Sequence, residues 1–487
     1  LRIQTGGNEY KKQQPTKQRS KRDLNMKPSI KTKSTLETLL VIGLILIIPL
    51  FFAINSGANT PETPAEILPI PPTVAVNAPE DGNAVKPKQP PACTFPLAGI
   101  TTEESMPEEY SFSEPQVVLT ALEGNPLNVA EWLPDNQQVL ITEGLRSEYV
   151  ENNNTAYQQS ISLYNLETGE AKVYAIRAEI YETPIWQPEL NGVVYSALNF
   201  TSLDKAKGIH TYTRQLRVSY GDSDATQLLA DNLQFPIIIK PGENEILYLS
   251  DKKISELDKS LKKFSLASFD PDQWDYAKER RDDKSVSYQM VWQPGTSLIF
   301  LYSGAGLSSG GGYTFILDTA TGNICELDLG GWADRARWSA NGRYLAIERA
   351  IGYSFPVISS DLVVLDTLTG SLRIVEVVSQ DIKKHHVSDF TWTPDNFHMF
   401  VFVDIPSTYD PNNFETLHHK LYFVDLTTGK SIPLFPEFKS FFAESIPGSN
   451  NFVWSLDNSK LLLRCPLIKR PAATDRFCLT SVQRADQ

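Results

Sequence analysis

The chain has 487 residues, 41% of them hydrophobic and 10% aromatic, with 32 prolines and four cysteines. Its formal net charge is −13; residues 1–34 hold ten Lys/Arg against Glu9 and Asp23, so that stretch is +8 and the remainder is −13 − 8 = −21. So acidic a body argues against a nucleic-acid partner, because phosphate binding draws on Lys and Arg, while many aromatics and turn residues suit an all-β protein.

Residues 1–34 read as a basic cytoplasmic tail with no function of its own; Met26 opens a shorter basic lead within it. Leu39–Ile54 is an unbroken apolar run of 16 residues, and residues 35–54 approach the ~20 that span a bilayer. Lys27, Lys31 and Lys33 precede the run, which predicts a cytoplasmic N-terminus and an exported C-terminal body held by one transmembrane helix or signal anchor. The alternative is a secreted protein, cleaved at the small residues Ser56-Gly57-Ala58. Nine prolines fall between Asn55 and Pro91, so residues 55–92 are expected to form an extended polyproline spacer.

Residues 93–487 are organised by seven stretches that run from an anchor through a Pro-Asp-type turn into β-formers: Trp132-Leu-Pro134-Asp135, Trp186-Gln-Pro188-Glu, Ile239-Lys-Pro241-Gly, Trp292-Gln-Pro294-Gly, Trp338-Ser-Ala-Asn341-Gly342, Trp392-Thr-Pro394-Asp395 and Trp454-Ser-Leu-Asp457. Anchors recur at steps of 54, 53, 53, 46, 54 and 62 residues. Strand-forming repeats of that period predict a seven-bladed β-propeller, with six or eight blades left open by the third repeat, which lacks its Trp. Four repeats also carry a tight turn ending in glycine: Leu166-Glu-Thr-Gly169, Asp318-Thr-Ala-Thr-Gly322, Asp366-Thr-Leu-Thr-Gly370 and Asp425-Leu-Thr-Thr-Gly429. Glycine supplies the positive φ there and Asp or Thr caps the turn. The seventh repeat stops one strand short, and Gln116–Ala121 is a strand without a blade, so the two are expected to pair and close the ring, removing two exposed sheet edges. The repeated Trp is expected to pack between blades.

These turns, each followed by an apolar strand and a strand ending Asp-x-x-Thr-Gly, resemble the repeats of TolB-type and WD40-like propellers, and are similar to the propeller domains of prolyl and dipeptidyl peptidases. The resemblance covers about Val117 to Val482 and implies a fold rather than an activity. The chain departs from TolB in its seven repeats and in having no α/β domain before them, and from the peptidases in having no hydrolase domain after them.

Turns between first and second strands, and between third and fourth, are short throughout. Connections between second and third strands are long: Thr142–Gln159, Ala197–Tyr212, Ser303–Gly312, Ala350–Ser360, Asp404–His419 and Cys465–Arg476. Together with the blade links they share one face, which is where binding is expected on a repeat scaffold. Tyr149, Tyr157, Trp274, Tyr353, Phe355, Tyr409 and Phe414 fall in those loops and are the candidate partner-binding residues. Catalytic signatures are weak. Gly306-Leu-Ser308-Ser-Gly310 lacks the strand–turn–helix context of a nucleophile elbow. His385-His386 and His418-His419 are adjacent pairs whose members point to opposite faces of a strand, so they read as surface histidines. No metal or cofactor is expected. Cys465 and Cys478 flank one hairpin and are expected to form a disulfide in an oxidising compartment, whereas the pairing of Cys93 and Cys325 stays open. The expected partner is a protein or peptide at the cell envelope, with a glycan or small ligand, or a hydrolase or lyase site in the channel, as alternatives.

Overall fold

The computed structural model describes residues 90–97, 107–121, 127–145, 158–179, 183–204, 209–221, 226–233, 237–240, 245–250, 253–269, 288–303, 313–354, 357–378, 385–406, 417–436, 450–465 and 476–484. Seven antiparallel sheets follow one another along the chain. Their first strands are Leu127–Trp132, Ile185–Gln187, Ile238–Lys240, Tyr288–Trp292, Trp332–Trp338, His386–Trp392 and Phe452–Trp454. First strands of successive blades adjoin from blade 7 to 1, 1 to 2, 3 to 4, 4 to 5 and 5 to 6, so they line the axis of a seven-bladed β-propeller. The third repeat forms a full blade, with Ile238–Lys240 in place of a Trp-ended strand.

Ring closure follows the expected register. Gln116 pairs with Leu479, Val117 with Cys478 and Leu119 with Phe477. The closing strand is longer than the sequence suggested, because Tyr110–Phe112 continues it along Arg484–Val482. Ser113 bridges the two pieces, its N–H donating to the Ser481 carbonyl at 3.0 Å. The rings of Tyr110 and Phe112 pack against Phe423, and that of Phe112 also against Phe400, between blades 6 and 7.

The short turns hold by the predicted local chemistry. Asp135 Oδ1 accepts from the N–H groups of Gln137 and Gln138 at 3.0 and 2.9 Å, and Asn136 behind it takes φ 52°, the left-handed region that Asn tolerates. Gly370, in the third-to-fourth turn of blade 5, has φ 77°. Between blades, the indole N–H of Trp132 donates to the Val453 carbonyl at 3.0 Å, that of Trp338 to Val291 at 3.1 Å and that of Trp392 to Arg337 at 2.9 Å. In each case the acceptor lies on the first strand of the preceding blade. The Trp therefore fills the seam and satisfies a buried donor at once. Apolar clusters occupy the seams, such as Phe300, Ile316, Trp338, Leu345 and Val363 between blades 4 and 5.

The long second-to-third connections differ from expectation: much of their length is ladder. Pairing runs out to Leu145 with Gln158, Asp204 with Ile209, Ser354 with Val357 and Pro406 with Leu417. Polar and β-branched residues such as Thr211 and Thr213 hide this in the sequence, because they interrupt the apolar alternation by which a strand is recognised. The face is still the elaborated one, built of projecting hairpins.

Residues 90–97 lie along blade 4. Cys93 is joined to Cys325, and Cys465 to Cys478. The expected membrane segment at 35–54 and most of the spacer lie outside the described residues. Among the described residues no helix is long and apolar enough to cross a membrane.

Candidate functional site

The first strands of blades 5 and 6 each carry a register shift, between Ala333 and Arg335 and between Val387 and Asp389. A bulge of this kind re-aims the side chains after it. Here it brings Arg335, Arg337 and Asp389 together. The Asp389 carboxylate is fully buried; its Oδ1 meets Arg335 Nη1 at 2.6 Å and Arg337 Nη2 at 3.2 Å. It also accepts the N–H of Phe390 at 2.8 Å, while Oδ2 accepts the N–H of Asn451 at 3.1 Å, at the entry to blade 7. One carboxylate thus ties three blades. Burial alone would raise its pKa, but the two guanidinium groups hold it below the usual carboxylate range.

A second group adjoins it. Glu348 stands opposite Arg335 in the blade 5 ladder, and its Oε1 receives His386 Nε2 at 3.0 Å. His386 Nδ1 faces Asp404 Oδ2 at 3.4 Å, and His419 Nδ1 contacts Asp404 Oδ1. His386, Asp404 and His419 form one cross-strand row, each opposite the next. Burial opposes a charged imidazole, yet Asp404 and Glu348 outweigh it and lift His386 to about 10. The histidines at 386 and 419 are therefore not surface residues, as their adjacency in pairs had suggested. His386 and Asp404 sit at the hairpin ends of their strands, so the cluster occupies the half of the ring toward the elaborated face.

Asp334, the extra residue of the blade 5 bulge, is a carboxyl of another kind. Burial, and then the negative Glu348, raise it to about 7. Between about pH 4 and pH 7 the folded protein then holds a proton that the unfolded chain has released, so this group's contribution to stability falls as pH rises through that window. Asp334→Asn is expected to gain thermal stability relative to the native protein between pH 4 and pH 8; a difference in melting temperature that is flat with pH would contradict the assignment. On the opposite side of the ring, Glu131 accepts the Trp186 N–H, and burial likewise raises it to about 7.

Of the candidate partner-binding residues, Tyr149, Tyr157, Trp274, Phe355, Tyr409 and Phe414 lie outside the described residues. Tyr353 is placed by its backbone alone, paired with Ile358 near the tip of the blade 5 hairpin. The charged cluster was missed. Its signal was present as Asp334-Arg-Ala-Arg337 and Asp389 within the four residues before the anchors Trp338 and Trp392, where most repeats carry few charges.

No known family model matches the chain, and no curated protein matches it. Solved structures do. TolB from Acinetobacter baumannii is 13% identical over 68% of this chain and 78% of its own, with a TM-score of 0.34. The β-propeller domain of the Trilobed protease from Pyrococcus furiosus is 9% identical over 74% and 93%, with a TM-score of 0.39. The Cps50 (Swd1) β-propeller domain from Myceliophteria thermophila is 12% identical over 76% and 100%, with a TM-score of 0.43.

Proposed function

We propose that the chain is a membrane-tethered, extracytoplasmic propeller that recognises a protein or peptide at the cell envelope through its hairpin face and the adjoining channel mouth. The observation that carries this is the two-sidedness of the ring. Economical turns make one face, and projecting hairpins make the other, above a half-buried charged cluster from blades 5 and 6. Two disulfides suit an oxidising, exported setting. The tether itself rests on the apolar run Leu39–Ile54 and its basic flank. Replacing Tyr149, Tyr353 and Tyr409 together by alanine is expected to abolish partner capture after cross-linking in the native host; unchanged capture would defeat the assignment to this face.

One observation favours a second reading, a small-ligand or hydrolase/lyase site in the channel. Asp334, a carboxyl that burial and the neighbouring Glu348 raise to about 7, lies in the same cluster as Arg335 and His386, and a carboxyl poised near neutrality is what general acid–base chemistry needs. In that case hydrolase or glycan screening of the purified protein gives a turnover that Asp334→Asn removes.

A further inference from the structure

The seam between blades 4 and 5 is filled at its outer rim by the chain itself. The Glu326 N–H donates to the Pro91 carbonyl at 2.8 Å, and the Cys93 N–H to the Glu326 carbonyl at 3.0 Å, so Ala92 adds a parallel bridge to the blade edge. Cys93 is bonded to Cys325. The Phe95 ring lies so close to Gly370 that a Cβ there would sit 2.5 Å from its Cδ2. The Leu97 N–H donates to the Thr367 carbonyl at 3.0 Å, and its side chain is buried in the seam.

The next seam, between blades 5 and 6, repeats this place position by position. Cys325 stands opposite Ile316, two residues before Asp318; Arg373 stands opposite Val364, two residues before Asp366. Leu426 and Gly429 follow Asp425 as Thr367 and Gly370 follow Asp366. The result is a groove of about 290 Å³ lined by Tyr344, Val364, Asp366, Arg373, Leu426 and Thr427, the Asp366 carboxylate being already paired with Arg343 at 3.0 Å. Among the described residues no atom lies within 4 Å of the point where a Cβ on Gly429 would fall. Beside it the outer strand of blade 5 exposes Leu372 and Ile374, the latter at 55%.

We propose that this groove docks an extended segment of another protein with the pattern acidic–x–aromatic–Pro–aliphatic. Such a segment adds a strand to the blade 5 edge, as Ala92 does on blade 4, and lays its aromatic ring over Gly429. Arg373 in the place of Cys325 selects an acidic residue in the place of Cys93. The chain's own segment 91–97 is committed to the neighbouring seam by its disulfide, and the occupant proposed here is a segment of another chain. The groove lies on the turn face, and its test is independent of the hairpin-face reading.

The probe is a fluorescent peptide, Pro-Pro-Ala-Glu-Thr-Phe-Pro-Leu, titrated by anisotropy against the full, oxidised chain. Saturable binding is expected, weakened by about tenfold or more in Arg373→Glu, in Thr427→Trp, which narrows the groove without changing its charge, and with a peptide carrying Ala for Phe. Lys172→Glu, at the corresponding position of blade 1 opposite Leu163, is expected to leave binding unchanged. Absence of saturable binding, or equal effects of Arg373→Glu and Lys172→Glu, would overturn the proposal.

Discussion

Asp389→Ala is expected to lower the stability of the ring by about 3–5 kcal/mol, among the largest effects of any single substitution. The loss is not that of an attractive pair alone. Removing the carboxylate leaves Arg335 and Arg337 facing each other in a seam where Asp389 is fully buried, and strips the N–H groups of Phe390 and Asn451 of their acceptor. Exposed ion pairs contribute ~1 kcal/mol or less, so a small change in the urea midpoint would mean that water reaches this cluster freely. Replacing all three residues together by apolar ones of similar volume is expected to restore most of the loss, because the desolvation of the charges disappears along with their attraction. That contrast separates a structural tie from a pair retained for ligand chemistry.

The two disulfides are expected to differ in effect, the one remote in sequence being the larger. Cys93 and Cys325 are 232 residues apart, Cys465 and Cys478 only 13. Chain-entropy arithmetic gives roughly 5 kcal/mol for closing the first loop and roughly 3 for the second. Paired serine substitutions, compared by urea midpoint, check this; a greater loss for the short loop would show that local strand pairing rather than loop closure dominates. The long bridge also has a mechanical consequence. The chain that closes the ring, Tyr110–Thr120, comes later in the sequence than the segment held on blade 4. A pull arriving from residues before Cys93 is therefore borne by blade 4 through Cys325, before it can peel the closing strand from Arg476–Arg484.

What could be read from the sequence was what neighbouring residues decide among themselves. The turn at Asp135-Asn136 and the glycine at 370 are determined within five residues, and the missing fourth strand of blade 7 could be matched to Gln116–Thr120 because each lacked a partner. Harder features depended on residues brought close only by the ring. Arg335 and Asp389 lie 54 positions apart and meet through two bulges that no local pattern marks. His386 reads as a surface residue until Glu348 and Asp404 are placed around it. Cys93 could not be assigned to Cys325 without knowing that residues 91–93 run along the edge of Ile324–Glu326. The hairpins read as loops because residues such as Thr211, Thr213, Gly352 and Ser354 interrupt the apolar run of their strands.

The two-sided account is tested most directly by placing a photo-reactive residue at positions 149, 353 and 409, which fall in sequence between the second and third strands of blades 1, 5 and 6, and at 168 and 321 on the turn side, in the native host. Position 373 is left out, since its groove is a separate proposal. Cross-links to one partner from the hairpin positions and none from the turn positions are the predicted result. The same partner captured equally from both sides, or from the turn side alone, would contradict it.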